Sequence, residues 1–234
     1  MLRVLTWNIR HGGQSRVERI AGELEALDSD VVVLTEYQRA NAKMVAAIVE
    51  LGYTAMCAPP CAPAQNSVLI AARVPMEHVQ ALRAPPPHEH RVIAARVAGI
   101  DLAAMYFPQK EAKVALFEWL IEQTPSLSHS PTLLLGDLNT GLHRVDEAKS
   151  TFFAVTEFER LQQVGWTDLW RRRHPDAREF SWYSAAPHRN GFRIDHALAN
   201  AALVPRVDAV HYAHTCRERG ASDHSALVVA IHED

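Results

Sequence analysis

Three short polar clusters carry most of the chemistry that this sequence can offer. Gly136-Asp137-Leu138-Asn139 follows an apolar run. Gly191-Phe192-Arg193-Ile194-Asp195-His196 and Ser222-Asp223-His224-Ser225 come later in the chain. Each sits where a strand-like segment meets a loop, the place where a rigid scaffold can aim polar groups at a substrate. Asn8, Glu36 and Tyr106 end three further runs in the same way. A hard divalent cation takes oxygen ligands and keeps several waters, so one or two carboxylates beside a substrate phosphate suffice to hold it. Glu36 is the first candidate for that ligand. Phosphodiester hydrolysis also needs an activated water and a way to neutralise charge building on the phosphate oxygens. Asp195, His224, Asp137 and Asn139 are the residue types for those tasks. Taken singly, Asp137 reads as an Asx turn or helix cap, Asn8 as a backbone-capping amide and Tyr106 as a core ring with a wet hydroxyl. Together they point to a metal-assisted hydrolase.

Positioning such groups is a task for alternating strands and helices, and the hydrophobic pattern supplies them. Strands are expected at residues 2–9, 30–36, 66–72, 91–97, 100–106 and 131–136. Helices are expected at 15–27, opened by a Ser15/Glu18 capping box, at 41–51 with Gly52 as the stop, and at 110–123. The Pro-rich stretches at 59–63 and 85–87 are short and bounded by core-like strands, so they read as loops. No repeat of solenoid period appears, and one α/β domain covering residues 1–234 is the economical expectation.

Whole-chain properties narrow the substrate. The 234 residues carry a net charge of −3, with a sequence pI near 6.5. There is no global basic field for tight nonspecific nucleic-acid binding, so a phosphate-bearing substrate must be gripped locally. Neither a leader peptide nor a membrane-length apolar run is seen. A cytoplasmic, monomeric protein without a membrane partner is expected. Cys57, Cys61 and Cys216 are expected to be reduced, since a zinc site at Cys57/Cys61 lacks a second pair. Thirteen histidines make a lone one uninformative. His11, His88, His90, His188 and His214 are expected on loops or the surface, and His196, beside Asp195, in the core. The run Arg171-Arg172-Arg173 reads as a solvated helix end.

Six pieces occur in the order of a known family: Trp7-Asn8, the Glu36 strand end, Tyr106, Gly136-Asp137-Leu138-Asn139, Arg193-Ile194-Asp195 and Ser222-Asp223-His224. Over nearly its whole length the chain resembles the endonuclease/exonuclease/phosphatase superfamily. Tyr106-Phe107-Pro108-Gln109, Gly165-Trp166-Thr167-Asp168 and Phe180-Ser181-Trp182-Tyr183, followed by Arg189-Asn190-Gly191, are most similar to exonuclease III and the apurinic/apyrimidinic endonucleases. The resemblance implies a four-layer α/β sandwich, two packed mixed β-sheets flanked by helices, with one magnesium site. By position it implies that Glu36 binds the metal with Asn8 and Asp223 close by, and that Asp195 orients His224. Asp137 and Asn139 position or activate the water, and Tyr106 meets the phosphate or the leaving group. The base is Asp137 or His224. Trp182 becomes a wall of the pocket for an abasic sugar, and Arg91, Lys113, Arg189 and Asn190 contact the nucleic-acid backbone. Manganese fits the same oxygen shell as magnesium.

The implied activity is Mg²⁺-dependent hydrolysis of DNA phosphodiester bonds in DNA repair, as an abasic-site endonuclease or a 3′-exonuclease. Two departures bear on the substrate. Arg10 stands where the repair enzymes commonly carry Asn or Asp, and Lys110-Glu111-Ala112-Lys113 follows the Tyr106 motif directly, without the longer insertion of exonuclease III. They leave a small phosphoester open as the substrate, such as a phosphoinositide, a nucleotide or a lipid head group. A noncatalytic binding module is the reading from another class.

Overall fold

Strands that are apolar on both faces must be covered on both sides, and this chain is built from such strands. The computed structural model describes residues 1–79, 82–185, 187 and 189–233. β1 (Leu2–Asn8), β2 (Val31–Tyr37) and β4 (Ser67–Ala72) are buried nearly throughout. With β3 (Ala55–Cys57), β13 (Val207–Ala213) and β14 (Ala226–Ile231) they form a six-stranded sheet of order β13-β14-β1-β2-β4-β3. A second sheet combines β5 (Met76–His78), β6 (Val92–Val97), β7 (Ile100–Tyr106), β8 (Thr132–Asp137), β9 (Thr167–Asp168) and β12 (Asp195–Ala199), in the order β5-β6-β7-β8-β12-β9. Each sheet is mixed, with one parallel pair, β1/β2 in the first and β7/β8 in the second. A two-stranded ribbon, β10 (Trp182–Tyr183) and β11 (Gly191–Phe192), stands apart.

The period-2 alternation of strand side chains assigns residues to layers. Val4, Val31, Val33 and Ile70 of the first sheet meet Leu102, Ala104, Leu133, Leu135 and Ala197 of the second in a central core. On the outer face of the first sheet, Leu5, Trp7, Val32 and Leu34 pack against α1 (Val17–Leu27) and α2 (Ala42–Glu50) through Ile20, Leu24, Met44 and Ile48. On the outer face of the second, Ala103, Leu134 and Leu198 pack against α3 (Val114–Leu127) and α4 (Val155–Gln163). The result is the expected four-layer α/β sandwich. Two short helices, α5 (Leu169–Arg173) and α6 (Thr215–Glu218), complete it. Among the described residues, no helix is long and apolar enough to cross a membrane.

Most expected elements form within a few residues of their predicted bounds. Asn41 caps α2, its side chain accepting the Met44 N–H, and Gly52 ends it at φ 87°. The Ser15/Glu18 capping box is a correction. α1 starts at Val17 after Arg16, and no side chain caps it. Residues 10–14 all carry positive φ, so Ser15 is absorbed into the turn that follows and cannot serve as a cap. Arg171 is a second correction, because it is no solvated helix end. It pairs with Asp146 at 2.8 Å and donates to the carbonyls of His174, Pro175 and Ala177. Cys57, Cys61 and Cys216 are free, and His196 is buried. Of the histidines expected on loops, His188 lies outside the described residues.

Candidate active site

Strand parity explains why the predicted residues converge. In β1 the central-core positions are Leu2 and Val4, which puts Asn8 on that face; in β8 they are Leu133 and Leu135, followed by Asp137; in β12 they are Ala197 and Ala199, preceded by Asp195. Tyr106 ends β7 on the same inner face. All four therefore emerge between the sheets at one end of the sandwich. Glu36 has the opposite parity, since Val32 and Leu34 face outward. A register shift between Thr35 and Tyr37 and a φ of 54° at Glu36 turn its carboxylate back to the others. A bulge re-aims one side chain without moving the strand. Gly136 lets β8 lie close to β7: a Cβ there would sit 1.8 Å from the Met105 carbonyl oxygen.

One hydrogen-bond network joins these groups. Asn8 Nδ2 donates to Glu36 Oε1 at 3.2 Å and to Asp137 Oδ2 at 2.9 Å, so one amide spans two carboxylates. Glu36 Oε2 accepts the His11 N–H at 2.9 Å and Asn66 Nδ2 at 3.1 Å, and Tyr106 Oη reaches Glu36 Oε1 at 3.4 Å. Asp137 Oδ1 accepts the Asn139 N–H at 2.9 Å, while Asn139 Nδ2 donates to the Phe107 carbonyl. Asp195 lies directly opposite Asp137 across the β8/β12 ladder. His224 Nδ1 bonds Asp195 Oδ2 at 2.8 Å; a carboxylate only accepts, so Nδ1 carries the proton. Trp7 Nε1 donates to the His224 carbonyl at 3.0 Å and fixes the loop before β14.

Two carboxylates opposite one another on a buried face repel, and their protonation reflects it. Burial and the neighbouring Asp195 push Asp137 up from 3.8 to about 7, against the pull of His224, Asn8 and the Asn139 N–H. Burial alone would lower His224, but the charge and hydrogen bond of Asp195, then Asp137 and Asp223, raise it to about 9. Burial, Glu36 and Asp137 push the Tyr106 phenol up to about 12, so it stays a donor.

The donor set fits a divalent cation. Glu36 and Asp137 both bring carboxylate oxygens to the Asn8 amide nitrogen, Asp137 lies with Asp195 and His224 in one group of ligand types, and Asp195 Oδ1 is buried without a hydrogen-bond partner among the described residues. Negative charge from Glu36, Asp137 and Asp195 exceeds what His224 cancels, which is the condition a bound cation relieves.

These groups floor a cleft of about 500 Å³. Trp182, Phe192 and Phe152 form one wall, with ring centroids 5.6 Å apart in each successive pair. Trp182 is held against the reactive end by a β-bridge to His224 and by Nε1 donating to Asp223 Oδ2 at 3.3 Å. Phe152 comes from a loop anchored by buried Glu147, which accepts the N–H groups of Thr151 and Phe152 at 2.7 and 3.0 Å.

Nine of the predicted residues meet at this cleft: Asn8, Glu36, Tyr106, Asp137, Asn139, Asp195, Asp223, His224 and Trp182. The four backbone-contact candidates do not present themselves as expected. Arg91 lies behind Tyr106, its guanidinium 4.8 Å from that ring and its Nη1 on the Tyr106 carbonyl. Lys113 borders the cleft but is buried, and its ammonium donates to the Asn139 carbonyl. Burial lowers it to about 8. Arg189 and Asn190 sit in the β10/β11 turn, where Arg189 faces a separate hollow with Tyr183 and Arg217. Sequence reasoning missed Asn66, Phe152 and the Glu147 anchor. Only Asn66 left a trace, as the residue that enters β4 opposite the end of β2.

A sandwich with a buried Asp–His pair beside surplus carboxylates offers a cation and a phosphoester a common seat. Residues 5–224 match the Endonuclease/Exonuclease/phosphatase family, and the chain belongs to it. The fold is similar to that of an AP endonuclease from Archaeoglobus fulgidus, with TM-score 0.86 and 24% identity over 99% of both chains. It is also similar to a Neisseria 3′ phosphatase, NExo, bound to a product DNA hairpin, with TM-score 0.85 and 21% identity over 99% of this chain and 100% of that one. The 3′-5′ exonuclease NExo from Neisseria meningitidis gives TM-score 0.81 and 22% identity, over 98% and 99%. Enzymes of the family are dependent on divalent metals, and the carboxylate/histidine group of this chain could hold such an ion.

Proposed function

We propose that this chain is a Mg²⁺-dependent enzyme that hydrolyses DNA phosphoester bonds, as an abasic-site endonuclease or as an enzyme trimming 3′ ends. The observation that carries this reading is the aromatic wall of Trp182, Phe192 and Phe152 beside the Asp137/His224 pair, in a cleft sized for one sugar or nucleotide. The activities named for the similar structures support it: AP endonuclease, 3′ phosphatase and 3′-5′ exonuclease. Glu36, with Asn8 and Asp223 close by, would hold the metal, and an oxygen-rich shell favours magnesium, with manganese as the substitute. The bound ion would polarise the phosphate and make a coordinated water more acidic.

Asp137 is the proposed base. Its proton affinity near neutrality matches the working pH of a general base, and the Asn139 N–H and Asn8 amide fix its two oxygens. His224, charged and oriented by Asp195, would stabilise negative charge on the phosphate oxygens. Tyr106 stays protonated and can donate to the phosphate or the departing oxygen. Lys113 holds the Asn139 carbonyl and so positions the Asp137 loop.

A small phosphoester is the second reading. It is favoured because Arg91 and Lys113 donate to backbone carbonyls and Arg189 faces a separate hollow, which leaves fewer cations at the cleft to grip a long backbone.

The test is a duplex oligonucleotide with one abasic analogue, beside intact duplex and single-stranded controls, in Mg²⁺ or EDTA. Metal-dependent incision that disappears in Asp137→Asn is expected. A folded wild-type protein that cleaves no DNA yet hydrolyses a small phosphoester would transfer the assignment to the second reading.

A further inference from the structure

Five consecutive residues, Arg10, His11, Gly12, Gly13 and Gln14, have φ between 45° and 79°. Left-handed backbone is disfavoured for a non-glycine residue, and three of these five carry side chains. Strain of this kind persists only where packing enforces it, and it collects at functional sites. Here the two glycines leave no room for side chains. A Cβ on Gly13 would come within 2.7 Å of both Ile20 and Met44, and one on Gly12 within 2.9 Å of Gln38.

The turn fixes Arg10 at the mouth of the cleft. Its N–H donates to Asn8 Oδ1 at 2.9 Å, and its carbonyl accepts from Arg16 Nη2 at 2.6 Å and from the Gly13 N–H at 3.2 Å. Asn8 thus bonds Glu36 and Asp137 with one end of its amide and the Arg10 backbone with the other. The Arg10 side chain is 56% exposed and lines the cleft. Its ion-pair partner among the described residues is Asp223, with Nε 3.8 Å from Oδ2. That length leaves most of the guanidinium fork free for a better-placed anion.

We infer that Arg10 is a specificity-determining residue that selects a terminal phosphate monoester over an internal diester by binding the additional unesterified oxygen. This rests on the phosphoesterase reading of the same cleft. A diester has two unesterified oxygens and one negative charge. A monoester has three such oxygens and close to two charges at neutral pH. His224 and a cation held at Glu36 would serve two oxygens, and the Arg10 guanidinium, exposed at the rim on a tethered backbone, is left to meet the third. Arginine suits this task because its planar donors meet phosphate in pairs. Hydrolysis then forms a bond from the water oxygen to phosphorus as the ester P–O bond breaks. The electron pair leaves on the ester oxygen, which takes a proton from solvent to become a hydroxyl, and Asp137 returns to solvent the proton it accepts. The attacking water gives its proton to Asp137, and inorganic phosphate is released.

The experiment compares Arg10→Ala and Arg10→Lys with wild type on two duplexes, one ending in a 3′-phosphate at a nick and one with an internal abasic analogue. A parallel pair of small substrates, p-nitrophenyl phosphate and bis(p-nitrophenyl) phosphate, reads the same ratio without DNA. Loss of a charge-assisted bond is expected to lower kcat/KM for the monoesters about 10- to 100-fold in Arg10→Ala. The diesters should fall about threefold or less, with partial recovery in Arg10→Lys. Inhibition by inorganic phosphate should weaken by a similar factor as the monoester loss. An equal fall on both ester classes, or none on either, with metal-dependent turnover intact, overturns the role of Arg10 and spares the phosphoesterase reading. If wild type and Asp137→Asn are alike on all four substrates, that reading fails and this one with it.

Discussion

Two buried ionic clusters lie on opposite faces of β12, one residue apart, and they are balanced differently. Asp195 points between the sheets to His224 and Asp137, while His196 points outward to Asp168 and the Thr140 carbonyl. In the outward cluster Arg193 is fully buried. It donates to Asp146 at 2.7 Å and Asp168 at 2.8 Å, and Arg171 reaches Asp146 from the other side. Two arginines face two carboxylates. Burial pushes Asp146 and Asp168 up, yet Arg193 and its hydrogen bonds hold both below the usual carboxylate range. Across the strand, Glu36, Asp137 and Asp195 face one histidine, and Asp137 is pushed up to about 7. Equal burial with opposite shifts separates a cluster that holds the fold from one that waits for a cation and a substrate.

Substitutions should pull the two clusters apart. Asp137→Asn is expected to lose about 10²–10⁴-fold in turnover. Its metal-free Tm at pH 8 should equal or exceed wild type, because an unfavourable buried charge is gone. A lower Tm would make Asp137 a structural residue like Asp168. Arg193→Met should do the reverse, leaving two buried carboxylates unpaired at a cost of about 3–5 kcal/mol in urea unfolding. Activity per folded molecule should stay close to wild type.

The pH dependence should differ too. Folded His224 keeps its proton to about 9 against an ordinary value of 6.5, so its contribution is complete below about 6.5 and lost as pH rises through 9. Asp137 keeps its proton to about 7 against 3.8, so ionising it removes stability between those values. Both effects have one sign. Metal-free protein should lose on the order of 2–3 kcal/mol between pH 6 and 9, with Mg²⁺ restoring more at pH 8 than at pH 5.5. A Tm profile flat over that range in EDTA would count against the surplus charge. Asp168 and Asp146 act oppositely, since their stabilisation is present above the ordinary carboxylate value and lost as pH falls below it. The smallest change should come from Arg171→Ala, about 1 kcal/mol in the same unfolding assay, because Arg193 still serves Asp146.

The inward cluster was far easier to read from sequence than the outward one. Asp137, Asp195 and His224 stand in short motifs at strand ends, where parity and order indicate a shared face. Arg193 was visible only as a letter of its motif. Its partners Asp146 and Asp168 are 47 and 25 positions away, one in a loop and one ending the two-residue β9, and no spacing pattern links either to Arg193. Direction was equally invisible for Arg91 and Lys113, which fold back onto the Tyr106 and Asn139 carbonyls, since spacing does not tell which way a long cation turns. The capping box failed for a related reason. Ser15 and Glu18 satisfy a local rule, but the left-handed turn before them is imposed by Ile20, Met44 and Gln38. The six strands expected up to residue 136 followed from their apolar runs, whereas β12, β13 and β14 had no expected bounds and β3, β9 and β10 are too brief to carry a period.

The bond from Trp7 to the His224 carbonyl, and that from Ser222 Oγ to the Asn8 carbonyl at 2.6 Å, join segments more than two hundred positions apart. Between them β14 slots in beside β1, with β13 on its other edge. During synthesis the first strand therefore waits with an open edge until β14 has left the ribosome. Pairing at such separation is slow. A nascent chain holding Glu36, Tyr106 and Asp137 has no His224 beside Asp195, so the buried Asp–His pair is assembled only when β14 is threaded into place.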